Sequence, residues 1–204
     1  PGGVGKLRAE AARAAVRAAA PGRGPRTAET EGAEPGLALV VVAPRDGLQS
    51  WAPDPQTSAD WVATGTPHLY AGVLEGTGLV GPLVLPGATA CAGCMERDRV
   101  DRDPAWPRML VQWRAVHRRR STGACDLGLS TAVAGLAAAH ALSFLDGGLP
   151  ASTATRWEAA LPALHWHPTA VLPHPDCPCG AGGDREPVGV RSVAASGSGT
   201  RSGP

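Results

Sequence analysis

Val80-Gly-Pro-Leu-Val-Leu-Pro-Gly-Ala-Thr-Ala-Cys91-Ala-Gly-Cys94-Met-Glu-Arg-Asp-Arg-Val-Asp-Arg-Asp-Pro-Ala-Trp-Pro107 is the stretch on which the fold turns. An apolar strand runs out at Leu85-Pro86-Gly87, a Cys91-x-x-Cys94 turn closes it, and a charged helix begins. Near the C-terminus, His174-Pro-Asp-Cys177-Pro-Cys179-Gly180 carries a second cysteine pair. Four of the five cysteines thus fall into two tight couples. That is the arithmetic of one tetrahedral metal, because thiolates about 2.3 Å from Zn²⁺ must come from short turns, and C-x-x-C supplies two without strain.

Cys91, Cys94, Cys177 and Cys179 are therefore the expected ligands of a structural zinc. With four sulfurs in the shell no position stays open for water or substrate, so the site reads as a staple rather than a catalytic metal. The competing reading is a redox C-x-x-C, which needs a thioredoxin-like context that the Glu/Arg/Asp-rich segment 96–103 does not provide. His174 offers an alternative ligand, though four sulfurs already complete the shell. His165 and His167, alternating with Trp166, share one strand face and read as solvent-side residues before a ligand set. Cys125 reads as a small core residue, with an activated thiolate as the alternative.

The chain has 204 residues, 43% of them hydrophobic, enough for a core in one ordinary domain with a tail. Nineteen basic groups against 18 acidic ones leave a formal charge of +1, which gives no electrostatic case for nucleic acid or an anionic membrane surface. No run approaches the roughly 18 apolar residues of a membrane span, and nothing at the start reads as a signal peptide. The expectation is a cytoplasmic protein without nucleic-acid or membrane partners, in which paired cysteines serve as metal ligands and not disulfides. The opening residue is Pro1, not Met, which suggests a fragment or a late start.

Along the chain, Lys6–Ala20 has high helix propensity up to Pro21-Gly22. Gly2-Gly3 ahead of it lacks the preceding strand a dinucleotide loop requires, so it reads as a helix-entry turn. Leu37–Ala43 is a short β-branched run that fits a strand buried on both faces of a parallel sheet. Asp46, after that strand, reads as a turn residue, with a ligand contact as the alternative. Thr57–Thr64 predicts a short helix, and His68–Leu74 with Leu79–Leu85 a hairpin in which Pro82 marks an edge strand or a bulge. Asp103-Pro104 starts a helix through Val116 that ends in cations suited to its dipole. A second helix, Asp126 to Leu145, is apolar nearly all round and is expected to be buried. Two short antiparallel strands over 153–167 lead to the second cysteine pair, and from Gly180 the composition is that of a disordered tail.

Taken together, Val80–Gly87, the C-x-x-C, Arg-x-Asp-Arg-Asp-Pro-Ala-Trp-Pro, the Ala-rich helix ending in Leu-Asp-Gly and the terminal His-Pro-x-Cys-x-Cys resemble the E1-like, ThiF-type adenylyltransferase superfamily. The likeness is greatest to an actinobacterial branch associated with thiazole/oxazole-modified (bacteriocin-type) peptide biosynthesis. It covers about residues 3–180, with Val4–Ala12 and Pro21 similar to the family's second crossover helix and Leu37–Ala43 to the following strand. It implies an α/β fold with a Rossmann-like, mainly parallel sheet over residues 1–180, a zinc clasp at Cys91, Cys94, Cys177 and Cys179, and a disordered tail at 181–204. In this family ATP·Mg²⁺ activates a carboxylate as an acyl-adenylate for attack by sulfur or amine.

On this resemblance the nucleotide loop, the ribose contact and the phosphate-binding cation all fall before residue 1, leaving Asp46 as a displaced candidate for the Mg²⁺-holding aspartate. No residue of the chain is therefore assigned to a nucleotide or to catalysis, and ATP·Mg²⁺ belongs to the longer parent protein. Two functions follow. One is the C-terminal part of an adenylyltransferase acting on a peptide or carrier-protein C-terminus. The other is a non-catalytic module that binds a precursor peptide or docks a partner enzyme of a cyclodehydratase-type complex, with a homodimer left open.

Overall fold

A computed structural model describes residues 5–20, 22, 36–44, 47–119 and 125–183, with the backbone alone for 117–119. Gly2-Gly3, Asp46 and the segment from 184 onward lie outside the described residues. The chain divides into two units, Pro1–Glu34 and Pro35–Pro204. In the first, α1 (Arg8–Ala19) forms where alanine removes the side-chain entropy cost of a helix. None of its residues is buried.

The second unit is an α/β assembly on one five-stranded sheet. Its strands are β1 (Val40–Val42), β2 (His68–Leu74), β3 (Thr77–Val84), β4 (Thr155–Ala160) and β5 (His167–Ala170), in that spatial order. Between β1 and β2 lie α2 (Gly47–Trp51), a 3₁₀ turn (Pro55–Ser58) and α3 (Ala59–Ala63). Between β3 and β4 lie α4 (Ala92–Arg102), α5 (Trp106–Arg119) and α6 (Leu127–Leu145).

Only β1 and β2 pair in parallel; the other three pairings are antiparallel. The expected parallel majority is thus confined to one pair, β1 with β2, while β3 and β4, also linked through helices, run antiparallel. Between β2 and β3 a short link forces reversal: Leu74 pairs with Thr77, leaving a two-residue turn with Glu75 in the left-handed region at φ 53°. Nor is β1 buried on both faces, because β2 is its sole partner among the described residues and Val41 is 48% exposed.

The expected irregularity at Pro82 is a bulge inside a central strand. Leu69 pairs with Leu83 and Ala71 with Val80, so Gly81 and Pro82 together oppose Tyr70. Gly81 is required there: its φ is +96°, and a Cβ would lie 2.2 Å from the carbonyl oxygen of Thr155 on β4. The extra residue also resets the pleat. Val80 and Leu83, three apart, both join Leu69 and Ala71 against α6, whereas Tyr70 and Val84 face the cysteines.

Helix α6 differs most from expectation. Asp126 caps it as foreseen, its Oδ1 accepting from Leu129 N–H at 2.7 Å. Yet only Leu129, Val133 and Ala137 are buried, while Leu127 is 81% and Leu142 59% exposed. Its 19 residues include no Asp, Glu, Lys or Arg and are long and apolar enough, by length and composition alone, to cross a membrane. The expectation that no segment approaches that limit is corrected. In the fold the helix lies along β2 and β3.

Candidate metal centre

The first cysteine pair is placed by the turn that follows β3. Thr89 Oγ1 accepts from Leu85 N–H at 2.8 Å, and Ala88 and Thr89 N–H both donate to Leu85 O at 2.9 Å. The chain thereby reverses into α4 with Cys91 as its extended N-cap residue and Cys94 in its first turn. Both sulfurs thus meet the positive end of an 11-residue helix.

The second pair arrives on the arm after β5. Val171 N–H donates to Ala154 O at 2.8 Å, and Cys177 N–H to His174 O at 3.1 Å. His174 then joins the arm to α4: Asp176 N–H donates to Nδ1 at 3.1 Å, so Nε2 carries the proton and donates to Asp101 Oδ2 at 2.8 Å. Both ring nitrogens are engaged, which explains why His174 lies beside the sulfurs and not among them.

Cys91, Cys94, Cys177 and Cys179 converge, their four sulfurs within 4.8 Å of one another. Cys91 and Cys94 stand 3.9 Å apart, Cys91 and Cys177 3.7 Å, and Cys94 and Cys179 3.5 Å. None of these pairs is a disulfide. Four sulfurs at about 2.3 Å from a single tetrahedral ion stand about 3.8 Å from each other, so the set fits one ion. Hydrogen bonding to Cys91 and burial push the Cys94 thiol up, and burial first of all pushes Cys177 up to about 11. Crowded and dry, these thiols resist ionising, and a bound divalent cation inverts that preference.

The remaining candidates lie elsewhere. Cys125 is exposed, its Sγ 3.7 Å from Asp126 O, so the reading of a small core residue is corrected. His165 and His167 are exposed, with ring centroids 6.4 Å apart, as a solvent-side pair should be.

Several supporting residues have no role assigned from the sequence. Arg97, three positions after Cys94, reaches the sulfurs, and Asp101 holds the arm through His174. Arg99 lies over the rings of Trp51 at 4.6 Å and Trp106 at 5.2 Å, and burial followed by the charge of Arg156 pushes its pKa down to about 10. Spacing along α4 is the signal that could have found Arg97; the others depend on segments far apart in sequence. Beside the sulfurs runs a groove of about 790 Å³, lined among others by Asp54, Gln56, Glu96, Arg97 and Arg114.

Comparison with known proteins follows this geometry. Among curated proteins none matches the sequence. Among solved structures the fold is similar to that of E. coli MccB with succinimide, at TM-score 0.53 and 19% identity over 70% of this chain and 39% of that one. It is also similar to the heterocyclase TruD, at TM-score 0.52 and 21% identity over 87% of this chain and 26% of that one. The chain therefore spans well under half the length of either structure. The ThiF family model matches residues 1–180, which take in α1, the whole sheet and all four converging cysteines. On that match the chain belongs to the ThiF family.

Proposed function

We propose that Cys91, Cys94, Cys177 and Cys179 hold one structural Zn²⁺, and that the chain is the C-terminal part of a peptide-modifying adenylyltransferase. The observation that carries the metal reading is the convergence within 4.8 Å of four sulfurs from two segments about 85 residues apart. Zinc suits an all-thiolate set with sulfur spacings near those of a tetrahedron, and with four protein ligands it acts as a clasp without an open position. The chain's own contribution is to fix the arm along α4, at its first turn through the sulfurs and at its last turn through Asp101 and His174. Metal analysis of the purified chain is expected to find one zinc per molecule; a chain that takes up none after reduction and zinc addition removes this reading.

For the full-length protein the reaction is ATP-dependent activation of the C-terminal carboxylate of a peptide or carrier protein, for transfer to sulfur or amine. ATP·Mg²⁺ supplies the adenylyl group, bound by residues outside this chain. Support comes from family membership and from the neighbours: MccB is described as a microcin C7 biosynthetic enzyme and is seen with ATP and with N-formylated MccA, and TruD is a heterocyclase. The cytoplasm, where thiols stay reduced, is the setting this reading requires. A longer protein should catalyse pyrophosphate exchange with ATP; no ATP binding by such a protein would remove catalysis.

The groove beside the sulfurs supports a second reading, a non-catalytic module that docks a precursor peptide or a partner modifying enzyme. Titration of the chain with a leader peptide in a calorimeter is expected to give saturable heat, and its absence at high concentration counts against docking.

A further inference from the structure

Arg97 lies one turn along α4 from Gly93. Its Nη1 donates to Gly93 O at 3.3 Å and toward Cys177 Sγ at 3.8 Å. The cationic guanidinium therefore lies against a sulfur 80 residues further along the chain. It sits on the open side of the cluster, since Arg97, Cys91, Cys177 and Cys179 all line the same groove.

Gly93 makes that approach possible. A Cβ there would lie 3.2 Å from Cys177 Sγ, 3.3 Å from Arg97 Nη1 and 3.5 Å from Cys91 Sγ. The missing side chain is the space through which the guanidinium reaches the sulfurs. Between the two cysteines of a C-x-x-C turn this glycine serves no need for positive φ, so its use is the close approach.

Four thiolates around a divalent cation carry a net charge of −2, set in a largely buried cluster. The N-terminus of α4 offsets part of that charge. A fixed cation touching one ligand offsets more, and groups around a metal that orient and neutralise its ligands govern how firmly it is held. We infer that Arg97, given room by Gly93, is a positioning residue of this centre: it neutralises the Cys177 side of the thiolate shell and covers it toward the groove, which slows metal loss. This rests on the zinc reading.

The test uses the 204-residue chain loaded with Zn²⁺, and in parallel with Co²⁺, following release to a chromophoric chelator. Arg97→Gln is expected to release metal about 10- to 100-fold faster than wild type, while still binding one Co²⁺ with a tetrahedral four-sulfur spectrum. Arg97→Lys keeps the charge and should fall between the two. Gly93→Ala should also release faster, although alanine favours the helix, because its Cβ takes the space of the guanidinium. A wild-type chain that binds neither ion sinks the zinc reading itself. A wild-type chain that holds metal while Arg97→Gln releases at the same rate overturns the role of Arg97 alone. Arg97→Lys releasing as fast as Arg97→Gln removes charge as the cause and overturns it too. Should Arg97→Gln fail to fold, Arg97→Lys and Gly93→Ala decide: release at the wild-type rate in both overturns the inference.

Discussion

The two faces of the sheet are closed by different physics. On one, α6 lies along β2 and β3 and buries Leu129, Val133 and Ala137 against Leu69, Ala71, Val80 and Leu83. On the other, Tyr70 and Val84 meet a cluster that includes Cys91, Cys94 and Cys177, and the covering segments come from residues 90–95 and 171–177. The α6 face is held by apolar area, which is additive and forgiving. The cysteine face has small side chains and a loop-rich arm, and its closure depends on a few directional contacts converging on one point.

The largest expected effect therefore lies on the cysteine face. Cys177→Ser or Cys91→Ser should each lose the metal and free the arm, because binding free energy at a structural site is folding free energy, on the order of 10 kcal/mol for an intact Zn²⁺ centre. Elemental analysis and thermal melting in parallel read this out. Full metal content in both variants would erase the contrast between the faces.

Next in size is the α6 face. Leu129 is fully buried, and Leu129→Ala should cost about 2–5 kcal/mol. Its metal content should stay at the wild-type level, which separates the two faces in one experiment. A chain that sheds its zinc on this substitution would show them to be a single cooperative structure.

A third effect belongs to His68, fully buried on β2 between Trp61 and Tyr70. Its Nδ1 donates to Thr66 O at 3.1 Å, and burial holds its pKa below the ordinary 6.5, only partly opposed by that carbonyl. The unfolded chain, with an ordinary imidazole, takes up the proton first as pH falls. The contribution of neutral His68 is therefore complete above about pH 6.5 and declines below it, toward the lowered native pKa. His68→Phe should remove this part of the acid sensitivity while leaving that of the cysteines. Identical stability slopes below pH 6.5 in the two proteins would refute it.

How much of this was legible beforehand follows from the range of the interactions. Asp126 as a cap, the stop at Asp146-Gly147 and the hairpin over 68–85 depend on neighbours within a few residues, and all are found. The cysteine couples were legible because ligand chemistry admits few residue types at few spacings. Edge position was not: apolar β-branched runs such as Leu37–Ala43 look alike whether they pair on one side or two, and among the described residues β1 pairs on one. Asp101 was hidden too, because on α4 alone it is an ordinary surface charge until the arm brings His174 to it, whereas Arg97 at least stands one helical turn from the first cysteine pair.

Leu142 carries the smallest expected effect, and it tests what apolar composition means on α6. Leu129 and Leu142 are the same residue type on the same helix, yet one is fully buried and the other 59% exposed. Transfer free energy follows area removed from water, so an exposed leucine contributes little to folding. Leu142→Gln should change stability by no more than about 0.5 kcal/mol, as surface substitutions do, and should leave the metal in place. Thermal melts of Leu129→Ala and Leu142→Gln side by side measure the difference. If the two shift the melt equally, Leu142 is covered in solution, and the exposed side of α6 is packed against something other than the sheet.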